Sequence, residues 1–179
     1  MKQVKLKDKE FEVSIPSEKI QEAIVKVAEK INMDYAGHDV PLFISILNGS
    51  FMFTADLFKH IDFTCEVTFL KLTSYKGTAS TGAVRQLIGV NESIEGRDVI
   101  VLEDIVDTGI TLEQIMGQLK SFEPKSVKVA TLLFKPKAYQ KDLEVDYIGM
   151  EIPNDFIVGY GLDYDGLGRN LPDIYTLKS

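Results

Sequence analysis

Short apolar runs alternate with segments of helical periodicity, and that alternation most restricts how this chain can fold. The runs are PLFISIL (41–47), CEVTFLKL (65–72), VIVL (99–102) and SVKVATLLF (126–134). Residues 17–32 carry Ile20, Ile24, Val27, Ala28 and Ile31 on one helical face, with Ser17 as the N-cap. Residues 48–61 turn through Gly49 into a second helix. A third begins after Gly109, with Thr111 and Gln114 as a capping box and Leu112, Ile115, Met116, Leu119 and Phe122 as its apolar stripe. The order implies an α/β fold with a mostly parallel central sheet flanked by helices. In such sheets ligands collect beyond the carboxyl ends of the strands.

Between these elements, residues 73–84 are small and polar and read as a mobile loop, followed by a strand in VRQLIGV (84–90) and a turn over 91–98. The tail, 147–179, is rich in Gly, Asp and aromatics, with short strand-like pieces such as DFIVGYG. The 179 residues suit one domain, and no linker or internal repeat divides them. A net charge of −7 argues against a nonspecific nucleic-acid binder. Cys65, the single cysteine, forms no intrachain disulfide and reads as a small buried hydrophobe. The N-terminus lacks the apolar run of a signal peptide, and charges interrupt every apolar run too early for a membrane span. Both point to a cytoplasmic protein without membrane partners.

The segment VIVLEDIVDTGIT (99–111) holds the chemistry. Thr108, Gly109 and Thr111 precede a helix N-terminus, where free amides and hydroxyls point donors at a ligand, so a phosphate is the natural occupant. Glu103 and Asp104, when ionised, only accept hydrogen bonds, which suits a vicinal diol or a hydrated divalent cation. Phosphate donors beside diol acceptors describe a ribose 5-phosphate. Competing motifs fail: there is no Walker A loop and no G-x-S-x-G elbow, GYGLDYDG holds only part of a dinucleotide fingerprint, and Ile174 stands where a calcium loop at 163–166 needs an acid. His38 and His60 are too isolated for a zinc site.

These segments together resemble the type I phosphoribosyltransferases, which use phosphoribosyl pyrophosphate (PRPP). VIVLEDIVDTGIT resembles their PRPP signature, and SYKGTASTG resembles their mobile catalytic loop. LLFKPKAY and PNDFIVGYGLDYDGLGRNLPDIY resemble the purine-binding and C-terminal segments of the hypoxanthine–guanine branch. The resemblance implies one phosphoribosyltransferase domain over 1–179, with a small hood built from the C-terminal and N-terminal segments. It implies that Glu103 and Asp104 hold the ribose hydroxyls, directly or through Mg²⁺, and that Asp107 accepts a proton near N7 of the purine. Thr108, Gly109 and Thr111 then cradle the 5-phosphate, with Ile105, Val106 and Ile110 counted among the substrate contacts. Leu47, Asn48 and Gly49 belong to the loop that grips pyrophosphate. Ser74 and Tyr75 close over the reacting centre. Lys135 reaches the 6-oxo group, Phe156 stacks on the ring and Ile157 offers backbone groups to the base edge. Asp163 helps hold Mg²⁺, and Arg169 meets pyrophosphate.

Taken singly, Phe156 would be core, Lys135 would extend to water and Asp163 with Arg169 would be a surface pair. Their joint order reverses that judgement. The chain departs from common relatives at Ile110, where lysine is frequent, so its 5-phosphate must rely more on amides and hydroxyls, and at Asn48, where many relatives carry a lysine in the pyrophosphate loop. The implied reaction is Mg²⁺-dependent transfer of ribose 5-phosphate from PRPP to N9 of a 6-oxopurine, giving a nucleoside monophosphate and pyrophosphate in purine salvage. Hypoxanthine, guanine and xanthine remain open as the base, and a homodimer or homotetramer is implied. A nucleotide-sensing regulator on the same fold would call for a basic face or a helix-turn-helix segment, and the sequence has neither.

Overall fold

The apolar runs become the inner strands of a parallel sheet. The computed structural model describes residues 3–73, 85–88 and 93–178. In chain order the elements are β1 (Gln3–Leu6), β2 (Lys9–Ile15), α1 (Ser17–Tyr35), β3 (Leu42–Leu47), α2 (Phe51–Phe58), β4 (Glu66–Thr73), β5 (Arg85–Ile88), β6 (Asp98–Val106), α3 (Ile110–Lys120), β7 (Ser126–Phe134), β8 (Tyr147–Glu151), β9 (Ile157–Val158) and β10 (Ile174–Leu177). The larger sheet has the order β5-β4-β3-β6-β7-β8. Its strands β4, β3, β6, β7 and β8 run parallel, with β5 antiparallel at the edge.

β3 and the first six residues of β6 have almost no exposed side chain, because helices cover both faces of the sheet. On one face Ile24, Val27, Ala28 and Ile31 of α1 and Phe53 and Leu57 of α2 pack with Phe43, Ile100 and Leu102. On the other, Ile115 and Leu119 of α3 pack with Leu42, Ile44, Val99 and Val101. A second, antiparallel sheet of order β1-β2-β10-β9 joins the two chain ends around Phe11, Val158 and Tyr175. The expected α/β class with a hood is the fold found.

Several local expectations are corrected. Ser17 is the first helical residue and Pro16 precedes it as the cap; Ser17 N–H is satisfied from far along the chain, donating to Asp173 Oδ1 at 2.8 Å. α1 also runs past residue 32 to Tyr35. The Thr111–Gln114 capping box does not form, since α3 already begins at Ile110 behind Gly109 and has no side-chain cap. α3 ends at Lys120, so Phe122 leaves the apolar stripe and is 57% exposed. β6 continues beyond VIVL through both acids to Val106. Cys65 is only partly buried, beside β4, where desolvation raises its thiol pKa.

Candidate active site

The carboxyl ends of β3, β6 and β7 meet at one place, and strand register decides which side chains face each other there. β3 pairs with β6 through Ser45↔Leu102, which carries the Leu47–Gly49 loop to the level of Glu103 and Asp104. β6 pairs with β7 through Val106↔Phe134, so the next residues, Asp107 and Lys135, leave the sheet side by side. Lys135 N–H donates to the Val106 carbonyl at 3.0 Å, and its ammonium lies 3.2 Å from the Asp107 carboxylate. Lys135 is only 7% exposed, so its stem does not carry the charge out to water.

Glu103 is 6% exposed. Burial, and then the neighbouring Asp104 carboxylate, push its carboxyl well above the usual range. Asp104 is pushed up to about 6 by burial, with Asp163 adding repulsion while the backbone amides of Ile105 and Asp104 and the Arg169 guanidinium work against it. Its Oδ1 accepts from Ile105 N–H at 2.9 Å. Gly49 lies directly over the Asp104 carboxylate, and a Cβ there would overlap it. The Leu47–Asn48 peptide leading into Gly49 is cis, and Asn48 is exposed. Beneath this loop is a buried chain of hydroxyls. Ser50 Oγ donates to the Ile46 carbonyl at 2.5 Å and lies 2.7 Å from Ser45 Oγ, which is 2.7 Å from Thr54 Oγ1.

Past Val106 the chain turns through Asp107 and Thr108 to Gly109, whose φ of 84° places it in the left-handed region. A side chain there would be strained, and it would also meet Tyr139, whose Cε2 would lie 2.5 Å from the new Cβ. The resulting cavity, of about 220 Å³, is lined by Glu103 and by Ile105 through Leu112. The free amides at the start of α3 open into it. Ile110 is 51% exposed and Thr111 is exposed, so no side-chain cation stands at either position.

Asp163 and Arg169 come from the loop before β10. Arg169 Nη2 is 2.5 Å from Asp163 Oδ1, and its Nη1 donates to the Gly161 carbonyl at 2.7 Å. Gly161 packs against the Gly49 carbonyl. Phe156 belongs to the hood, 46% exposed, beside Phe11, Tyr164 and the Lys9 ammonium. Ile157 borders a different, larger cavity with Ser14, Ile15, Met150 and Thr176. The candidate residues around β3, β6 and β7 thus gather at one end of the sheet, with Asp163 and Arg169 adjoining through Gly161 and Gly49, while Phe156 and Ile157 are carried by the hood. Ser74 and Tyr75 lie outside the described residues. The sequence reading passed over Gly161, Tyr139 and Lys9. A trace of the first was present in the closely spaced glycines of GYG (159–161).

A ligand matching this end brings hydroxyl donors or a cation to the carboxylates of Glu103 and Asp104 on one side and an anion to the free amides on the other. Comparison with known proteins identifies the family. Residues 16–165 match the phosphoribosyl transferase domain family. The chain is 47% identical, over 162 residues, to the hypoxanthine-guanine phosphoribosyltransferase of Streptococcus agalactiae serotype V, covering 88% of this chain and 89% of that protein. The chain belongs to the hypoxanthine–guanine phosphoribosyltransferase family. A crystal structure of such an enzyme from Bacillus anthracis, with HEPES in its active site, superposes with a TM-score of 0.87 at 39% identity, covering 93% of this chain and 98% of the other. The bifunctional protein TilS/HprT of Listeria monocytogenes is 42% identical over 93% of this chain, which spans only 26% of that longer protein.

Proposed function

We propose that this phosphoribosyltransferase moves ribose 5-phosphate from PRPP to N9 of hypoxanthine or guanine, releasing pyrophosphate and a nucleoside 5′-monophosphate, as a purine-salvage enzyme of the cytoplasm. The observation that carries this reading is the acid pair near the end of β6, Glu103 buried and Asp104 half-buried, followed at once by the glycine-cornered loop and the start of α3. Acceptors and donors are laid out in the order in which ribose hydroxyls and 5-phosphate follow one another. No helix among the described residues is long and apolar enough to cross a membrane.

The donor set also fits Mg²⁺. Glu103 and Asp104 are hard oxygen ligands whose carboxyls are raised by desolvation, so a bound cation would favour their ionised forms. Among the described residues no three His, Cys, Asp or Glu side chains converge as a self-sufficient cage. That suits a cation held by one or two carboxylates, with substrate oxygens and water filling the remaining positions. Glu103 and Asp104 would hold it, with Asp163 on the pyrophosphate side. When bound, Mg²⁺ neutralises the charge that develops on departing pyrophosphate.

The chain's own residues supply the rest. Thr108 to Thr111 bind the 5-phosphate through amides and hydroxyls. Gly49 lets the loop backbone approach pyrophosphate, and Arg169 pairs with the same anion. Lys135 donates to the purine 6-oxo group, and Asp107, held beside it, accepts the proton released as N9 becomes bonded to C1. Phe156 stacks on the ring, and Ile157 presents backbone groups to its edge. Ser74 and Tyr75 belong to the segment that would exclude water from the reacting centre. The test is steady-state nucleotide formation from PRPP and MgCl₂ with hypoxanthine, guanine, xanthine and adenine. Turnover with hypoxanthine or guanine is expected. Turnover with adenine alone, or with no base, would overturn the reading.

A further inference from the structure

One hydrogen-bonded contact between the C-terminal segment and the core joins Tyr160 to α1 and α2. Tyr160 is buried at φ 49°, a left-handed backbone that side chains rarely adopt, between Gly159 and Gly161 at φ 99° and 98°. Its hydroxyl donates to Asp56 Oδ2 on α2. Gln21 of α1 donates to the same oxygen at 2.8 Å, and the Lys59 ammonium lies 2.6 Å from Oδ1. The Asp56 carboxylate therefore ties two helices to the C-terminal segment, and its pKa stays low despite burial. One residue on, Gly161 packs on the Gly49 carbonyl, Gly49 packs on the Asp104 carboxylate, and Arg169 grips the Gly161 carbonyl. These contacts form a column from Asp104 through Gly49 to Gly161, and Tyr160 anchors its outer end.

We propose that Tyr160 and Asp56 are positioning residues for the pyrophosphate end of the site: their hydrogen bond sets how closely Gly161 and Arg169 approach the Gly49 loop. Neither side chain touches substrate. The inference rests on the reading above that pyrophosphate lies beside Gly49 and Arg169. The base end is registered separately, because β9 is held by its pairing with β10 through Tyr175↔Val158 and Thr176↔Ile157. Loosening the clamp therefore alters the grip on pyrophosphate and leaves the grip on a nucleotide product alone.

The experiment measures equilibrium binding, with MgCl₂ present, of PRPP, inorganic pyrophosphate and inosine 5′-monophosphate. It compares the wild type with Tyr160→Phe, which keeps the ring in the core and removes only the hydroxyl. Thermal unfolding is followed in parallel. PRPP and pyrophosphate are expected to weaken about tenfold, the scale of one hydrogen bond to a charged group, while inosine 5′-monophosphate stays within about twofold of wild type. Asp56→Asn should show the same split, and it carries the test if Tyr160→Phe does not fold. If all three ligands weaken together, or none does, the clamp has no positioning role. Gly49→Ala separates the two layers of the argument. If it leaves PRPP and pyrophosphate affinity intact, the placement of pyrophosphate is wrong and the proposal falls with it. If it weakens both while Tyr160→Phe and Asp56→Asn do not, the clamp alone is refuted.

Discussion

Desolvating the Glu103 and Asp104 carboxyls side by side should cost the ligand-free protein stability at neutral pH, and the cost has a definite sign. Asp104 ionises near pH 6 in the folded chain against an ordinary 3.8. Between those values the folded state binds more protons than the unfolded state, so stability falls as pH rises through that window. At ~1.4 kcal/mol per pH unit the displacement amounts to about 3 kcal/mol above pH 6, a ceiling because water entering the cavity reduces it. Glu103 acts in the same direction and extends the loss to higher pH. Asp34, Asp56 and Asp98 have depressed values, so their stabilising contributions are lost only as pH falls below the usual carboxylate range. The assay is urea unfolding at a series of pH values between 4.5 and 7.5, for wild type and for Glu103→Gln combined with Asp104→Asn. Wild type should lose about 1–3 kcal/mol across that range, and the double variant should lose much less and exceed wild type at pH 7.5. Mg²⁺ with PRPP should remove the difference for wild type alone. A wild type whose stability is flat or rising over this range, parallel to the double variant, would refute the reasoning.

Other outcomes follow from individual contacts. Lys135→Met should lower kcat/KM for 6-oxopurines and narrow the gap to adenine, which wild type should reject by about 10⁴–10⁵-fold because the ammonium would face an amino group; the kcat/KM values of the three bases check it. Asp107→Asn should lower kcat about 10²–10⁴-fold while PRPP binding stays nearly intact, and an unchanged kcat would remove Asp107 as proton acceptor. Phe156→Ala should weaken hypoxanthine and guanine alike, by about 1–3 kcal/mol, measured as the ratio of their KM values; unequal loss would mean that Phe156 discriminates between bases.

The parallel sheet was legible because strands buried on both faces are written as continuous apolar runs, as in LFISIL of β3. The candidate site was legible because glycine, threonine and acid crowd together where one such run ends. The hood was harder to see. β1 and β2 come from VKLKDKEFEV, where charges alternate with apolar residues, and they become a sheet only by pairing with β10 from the opposite end of the chain. Local patterns also misassigned the helix caps, since Pro16 precedes Ser17, whose amide is satisfied by Asp173, and Gly109 displaces Thr111 as the cap. The same holds for Tyr160, which reads as one aromatic among many until its hydroxyl is seen on Asp56, 104 positions away. Lys135 reads as a solvent-seeking lysine until strand register sets it beside Asp107.

The most direct test of the account follows the bond that is made. PRPP carrying ¹³C at C1 is incubated with ¹⁵N-labelled hypoxanthine and MgCl₂, and the product is examined by NMR while pyrophosphate is quantified. The account predicts a one-bond coupling between the labelled C1 and N9, with one pyrophosphate released per nucleotide formed. Label appearing in free ribose 5-phosphate, or bonded to another purine nitrogen, would contradict it.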